Sequence, residues 1–136
     1  MKEEDMIGLL KALLDSGGAE WTEESGWVRF RARHDAMLWE TACRPGRDAL
    51  LIYGRFPFRI AEPDRARRIC EEINRRLVRG ALFLAEDGTP VYRCAAELDD
   101  VYGAEDRITA ALRYSAEVMA HSWGRLSALS TEAKSL

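Results

Sequence analysis

Residues 63–93, PDRARRICEEINRRLVRGALFLAEDGTPVYR, restrict the possible folds more than any other part of the chain. Pro63 and Asp64 read as a helix start: proline is tolerated in the first turn, and a carboxylate favours the positive end of the helix dipole. Ala66, Ile69, Cys70, Ile73 and Leu77 then recur at three- and four-residue spacings and make one apolar stripe. Arg65, Arg68, Glu72, Arg75, Arg76 and Arg79 occupy the remaining positions, and Gly80 is the expected stop. Arginines in the last turns would complement the negative helix terminus. Beyond the glycine the period falls to two. Residues 81–85 and 90–96 read as strands joined by Glu86-Asp87-Gly88-Thr89, where Asp-Gly supplies the positive φ of a tight hairpin.

The flanks supply partners for this helix and hairpin. Residues 5–15 predict a first helix with Met6, Leu9, Leu10, Leu13 and Leu14 on one face, acidic residues at its start and Ser16-Gly17-Gly18 at its end. From Trp27 the pattern alternates: Val28, Phe30 and Ala32 share one strand face, and Arg29, Arg31 and Arg33 the other. His34-Asp35 reads as a turn into a strand over 36–43, and Arg44-Pro45-Gly46-Arg47 as a type II turn. A third strand over 49–60 contains Pro57, whose missing N–H predicts an edge or a bulge there. Short connections between these three strands predict an antiparallel meander. After a polar break at Asp99-Asp100 and Gly103, a long helix over 105–129 buries Ile108, Ala111, Leu112, Ser115, Val118, Met119, Ser122 and Leu126, with Trp123 at its rim. Residues 130–136 read as a frayed tail. One domain over 1–136, with its core in 5–129, accounts for the whole pattern.

Composition narrows the function classes. With 47% hydrophobic and 32% charged residues the chain is globular, and 136 residues can bury roughly two-thirds of their unfolded surface without staples. A net charge of -3 argues against a nucleic-acid binder, which needs a basic field to displace counterions. The acidic N-terminal flank and short apolar run argue against a signal peptide or a membrane span. Cys43, Cys70 and Cys94 lack ligand or CxxC spacing, so they read as core thiols in a reducing cytoplasm. His34 and His121 belong to no motif. The adjacent carboxylate pairs Glu71-Glu72 and Asp99-Asp100 diverge, and the 86–89 turn lacks the repeated oxygen ligands that calcium requires. We therefore expect no catalytic residue, no metal site and no cofactor. Arginines alternating with aromatics invite a nucleic-acid reading of residues 27–33. The plainer alternative is a solvated sheet face with Glu40 as a cross-strand partner. Of the large apolar residues, Trp21, Phe56 and Phe58 would make an interface if they form an exposed cluster.

The expected order, α-β-β-β-α-β-β-α, is that of the type III secretion chaperone-like fold: an α+β open antiparallel sheet packed with helices. Within that fold the chain resembles the YbjN-like family, described as candidate regulators of bacterial sensory transduction. The resemblance rests on the strand-to-helix passage 53–64, on Ile73-Asn74-Arg75 with Gly80, and on Glu86-Asp87-Gly88-Thr89-Pro90-Val91-Tyr92-Arg93 followed by a long final helix. It spans roughly residues 20–129 and carries no catalytic residue across. It implies a homodimer, and its chaperone branch implies the binding of unfolded segments of other proteins. The sequence thus predicts a non-enzymatic protein-binding module, chaperone-like or adaptor-like, that contacts neither nucleic acid nor membrane. The alternative is a regulatory domain sensing a small ligand between sheet and helices, and an enzyme using His34-Asp35 or His121 is a third reading.

Overall fold

A computed structural model describes residues 1–131 of the chain. The elements are α1 (Glu3–Ser16), β1 (Trp21–Glu24), β2 (Trp27–His34), β3 (Met37–Gly46), β4 (Ala49–Arg55), α2 (Pro63–Asn74), β5 (Ala81–Leu84), β6 (Pro90–Glu97) and α3 (Ala104–Ser127). Six antiparallel strands form one open sheet in the order β1-β2-β3-β4-β6-β5. The α+β class and the expected element order hold, with one strand added. That strand, β1, is tied to β2 by a two-residue turn at Ser25-Gly26, both at positive φ. Its sequence, Trp-Thr-Glu-Glu, is too short and too acidic to announce a strand by periodicity.

Register places Val28, Trp39, Cys43, Leu50, Ile52, Leu82, Tyr92, Cys94 and Ala96 on one face of the sheet, and all are buried. α1 and α3 pack on this face, and α2 packs against β5 and α3. From α3, Ile108, Ala111, Ser115, Val118, Met119, Ser122 and Leu126 enter the core as the spacing predicts, while Leu112 is half-buried. The approach is close because Gly54 faces Met119: a Cβ there would lie 2.8 Å from the Met119 sulfur. The Tyr53-Gly54 glycine is thus a packing device.

Several boundaries differ from expectation, each for a tertiary reason. The β3–β4 turn falls at Arg47-Asp48, with Asp48 at φ 55°, so Pro45 lies inside β3 opposite Leu50. It is tolerated there because β3 has run past its last β2 register pair, Val28–Cys43. β4 stops at Arg55, and Pro57 lies outside the sheet. Residues 56–61 instead form a strap: Phe56 N–H donates to Pro90 O, Ile60 N–H to Gly88 O and Ala61 N–H to Leu129 O. The strap also corrects the frayed tail at its start, since Ser130 is buried and bridges Ile60, and Thr131 N–H donates to Arg59 O. The rest of that tail, 132–136, lies outside the described residues.

α2 ends at Asn74 rather than near Arg79. The Asn74 amide pairs with the edge strand instead: its Oδ1 accepts from Leu82 N–H at 2.7 Å and its Nδ2 donates to Leu82 O at 3.0 Å. Residues 75–80 then turn, held by Val78 N–H to Tyr114 Oη (2.9 Å) and Tyr92 Oη to Arg79 O (2.7 Å). Arg75 caps the helix and Arg76 follows it directly, so both still complement its negative end, whereas Arg79 lies beyond it.

Candidate functional site

All three helices leave the other sheet face uncovered. By register it carries Trp27, Arg29, Arg31 and Arg33 from β2, and Leu38, Glu40, Ala42 and Arg44 from β3. Leu51, Tyr53 and Arg55 come from β4, Val91, Arg93 and Glu97 from β6, and Phe83 from β5. Two cross-sheet rows show the pattern: Arg29–Ala42–Tyr53–Arg93–Ala81 and Arg31–Glu40–Arg55–Val91–Phe83. Trp27, Ala42, Tyr53, Val91 and Phe83 form a patch interleaved with Glu40 and Arg55, and further guanidinium groups lie around it.

A shallow depression of about 200 Å³ lies at the centre, lined by Trp27, Arg29, Glu40, Ala42, Tyr53, Arg55, Phe83 and Val91. Trp27 and Tyr53 meet edge to face with ring centroids 5.4 Å apart. Arg29 and Arg44 lie over the Trp27 ring at 5.7 and 5.2 Å from its centroid, an arrangement stabilised by the ring quadrupole. Phe83, on the edge strand, is 39% exposed. Arg29 pairs with Glu40 at 3.0 Å, as a solvated face with a Glu40 partner predicts. Arg55 pairs with Asp87 at 2.5 Å. The Asp87 carboxyl is held below its ordinary range, first by the Thr89 N–H and then by Arg55, so the acidic turn is spent on its own hairpin. Among the described residues Arg31, Arg33, Arg44 and Arg93 make no ion pair. The net charge of -3 thus conceals a basic face on an acidic protein.

Trp21, Phe56 and Phe58 do not form the exposed cluster that an interface there would require. Phe56 is 1% and Phe58 7% exposed. Both pack on Trp123, with centroids 5.7 and 5.5 Å away, because the strap folds inward after Pro57. Trp21 is half-buried on β1 and engages α1 instead. Its indole N–H donates to Asp15 at 2.8 Å, and Lys11 lies 5.1 Å from its ring centroid. The aromatics on the uncovered face that sequence reasoning missed are the half-buried Trp27 and Tyr53 and the exposed Phe83. The signal was present at Trp27, which shares parity with Arg29, Arg31 and Arg33; Tyr53 and Phe83 needed the register between strands.

The reactive side chains are dispersed. His34 lies 3.7 Å from Asp35 in the β2–β3 turn, both well exposed, and His121 is exposed on α3. All three cysteines are free and buried. Burial pushes the Cys94 thiol up to about 11 and raises Cys70, and it moves Cys43 furthest. Among the described residues no three His, Cys, Asp or Glu side chains are grouped as a metal ion would need. No described helix is long and apolar enough to cross a membrane.

No protein-family model matches the sequence, and no curated protein is significantly similar to it. Among solved structures, the chain is similar to the crystal structure of YbjN from E. coli, named there as a candidate transcription regulator. The TM-score is 0.60 at 15% identity, over 90% of each chain. That likeness shows a YbjN-like fold.

Proposed function

We propose that this protein is a non-enzymatic binding module, chaperone-like or adaptor-like, that receives an acidic segment of another polypeptide across its uncovered sheet face. The carrying observation is the apolar centre of that face, Trp27, Tyr53, Phe83 and Val91, ringed by arginines of which four have no carboxylate partner. Exposed apolar surface rimmed by charge is the usual form of an interaction site, and unpaired guanidinium groups select anionic partners. A nucleic acid is the less suitable occupant. Base stacking needs a free ring face, whereas guanidinium groups already lie over Trp27 and Tyr53 meets it edge-on. The homodimer implied by the family resemblance belongs on another surface, because a two-fold contact would press this arginine-rich face against itself. Three unpaired thiols fit a reducing cytoplasm.

The test is an NMR titration of the full chain with three probes: acidic peptides bearing aliphatic and aromatic residues, their lysine counterparts, and single-stranded oligonucleotides. Acidic peptides should perturb the Trp27 indole and the amides of Tyr53 and Phe83, and Trp27→Ala with Phe83→Ser should abolish the effect. A stronger response to oligonucleotides, or one confined to the helical side, would overturn the proposal.

A further inference from the structure

A second site lies on the opposite side of the molecule, between α2 and α3, and it stands independently of the reading above. α2 stops at Asn74, so the following turn carries Arg75 and Arg76 to the mouth of a groove whose other wall presents His121 and Arg125. This end has a volume of about 440 Å³. Arg125 is engaged with Glu72 at 2.5 Å, whereas Arg75 and Arg76 make no ion pair among the described residues. The groove continues past Ile73, Leu77 and His121, which line both parts, into an apolar depression of about 310 Å³ bounded by Tyr114 and Val118. Ser122 lines this inner end. It is fully buried, so it belongs to the floor of the depression and offers no accessible polar group there.

We infer that this groove binds a small phosphate monoester with an aromatic body, the phosphate between Arg75 and Arg76 and the ring against Ile73, Leu77, Tyr114 and Val118. Two unpaired guanidinium forks suit a dianionic phosphate better than a single carboxylate. The apolar walls suit a flat ring, and the two volumes fall within the usual range of about 300–1,000 Å³ for small-molecule sites. Glu117, exposed at the inner end, repels an anion there and so fixes the ligand's direction. The arginine-bearing turn is already ordered: Tyr114 Oη accepts from Val78 N–H, and Tyr92 Oη donates to Arg79 O. Binding therefore has little loop entropy to overcome.

The full chain is titrated with phenyl phosphate and adenosine monophosphate, and separately with inorganic phosphate, phenol and adenosine, reading backbone amides. At least one ester should bind roughly ten-fold or more tightly than its two fragments, with shifts at Arg75, Arg76, His121 and Ser122. Arg75→Gln with Arg76→Gln, both exposed, should reduce its affinity to that of the neutral fragment. Binding by neither ester, equal binding of inorganic phosphate, or shifts confined to the uncovered sheet face would overturn the inference.

Discussion

Gly80 gives the sharpest test of how residues 75–80 are held. Its φ is +76°, and a Cβ placed there would lie 2.3 Å from Arg93 O and 2.7 Å from Tyr92 Oη. Gly80→Ala therefore meets three costs. A left-handed alanine costs about 1–2 kcal/mol. The clash is with backbone, so the β6 carbonyl must withdraw from 2.3 Å to at least 3.4 Å, straining the β5–β6 ladder by another ~1–2 kcal/mol. Displacing Tyr92 Oη forfeits its bond to Arg79 O, about 1 kcal/mol. Together these reach about 3–5 kcal/mol. Gly103 provides the control: its φ is +61°, but nothing lies within 4 Å of its ideal Cβ, so Gly103→Ala meets only the backbone term of about 1–2 kcal/mol. Urea denaturation of both variants should separate them by at least about 2 kcal/mol, or roughly 6–10 °C in Tm for a domain of this size. Equal destabilisation would refute the idea that close approach of the hairpin, rather than φ alone, demands glycine at position 80.

Three further outcomes are expected. Asn74→Leu leaves Leu82 N–H and C=O without their partner, so stability should fall by about 1–3 kcal/mol, and hydrogen exchange should accelerate at the Leu82 amide ahead of its neighbours. Burial raises all three thiols, Cys94 to about 11; native protein at pH 8 should resist alkylation, and complete labelling should appear only with unfolding. Arg107 donates to Asp99, to both the carboxylate and carbonyl of Asp100, and to the Glu97 and Tyr102 carbonyls, holding the Asp100 carboxyl below its ordinary range chiefly through its own hydrogen bond. A depressed carboxyl stabilises above the unfolded-state value and loses that contribution as pH falls through the lower folded value. The stability of Arg107→Gln should therefore depend less on pH below about 4 than that of the parent.

The sequence revealed elements through periodicity and missed what only tertiary contact decides. α3 was legible almost residue by residue because its buried positions repeat at helical spacing, and the Asp87-Gly88 hairpin because its turn chemistry is local. The end of α2 was not: the stripe continues through Leu77, but the Asn74 amide bonds to a strand that follows it in the chain. The strap at 56–61 was read as strand because Phe56, Phe58 and Ile60 alternate. They do alternate in burial, but Pro57 and the meeting with residues 129–131 take them off the sheet. The same register question left open whether Phe56 and Phe58 are exposed, and the strap buries both. The aromatic patch on the uncovered face stayed hidden because Trp27, Tyr53 and Phe83 lie on three strands whose alignment no single stretch encodes. Its basic character is averaged away in the acidic total.

The side chain of Asn74 has one more effect. It occupies the hydrogen-bonding groups that Leu82 would otherwise turn outward, as a neighbouring strand would, so β5 cannot template an added strand at that position. The opposite border, β1, is only four residues long, with Glu24 exposed at its tip and Glu23 paired with Lys11, and such a short, charged edge resists adding another strand. The sheet is thus terminated on both sides, leaving its flat of arginine and aromatic side chains as the surface open to company.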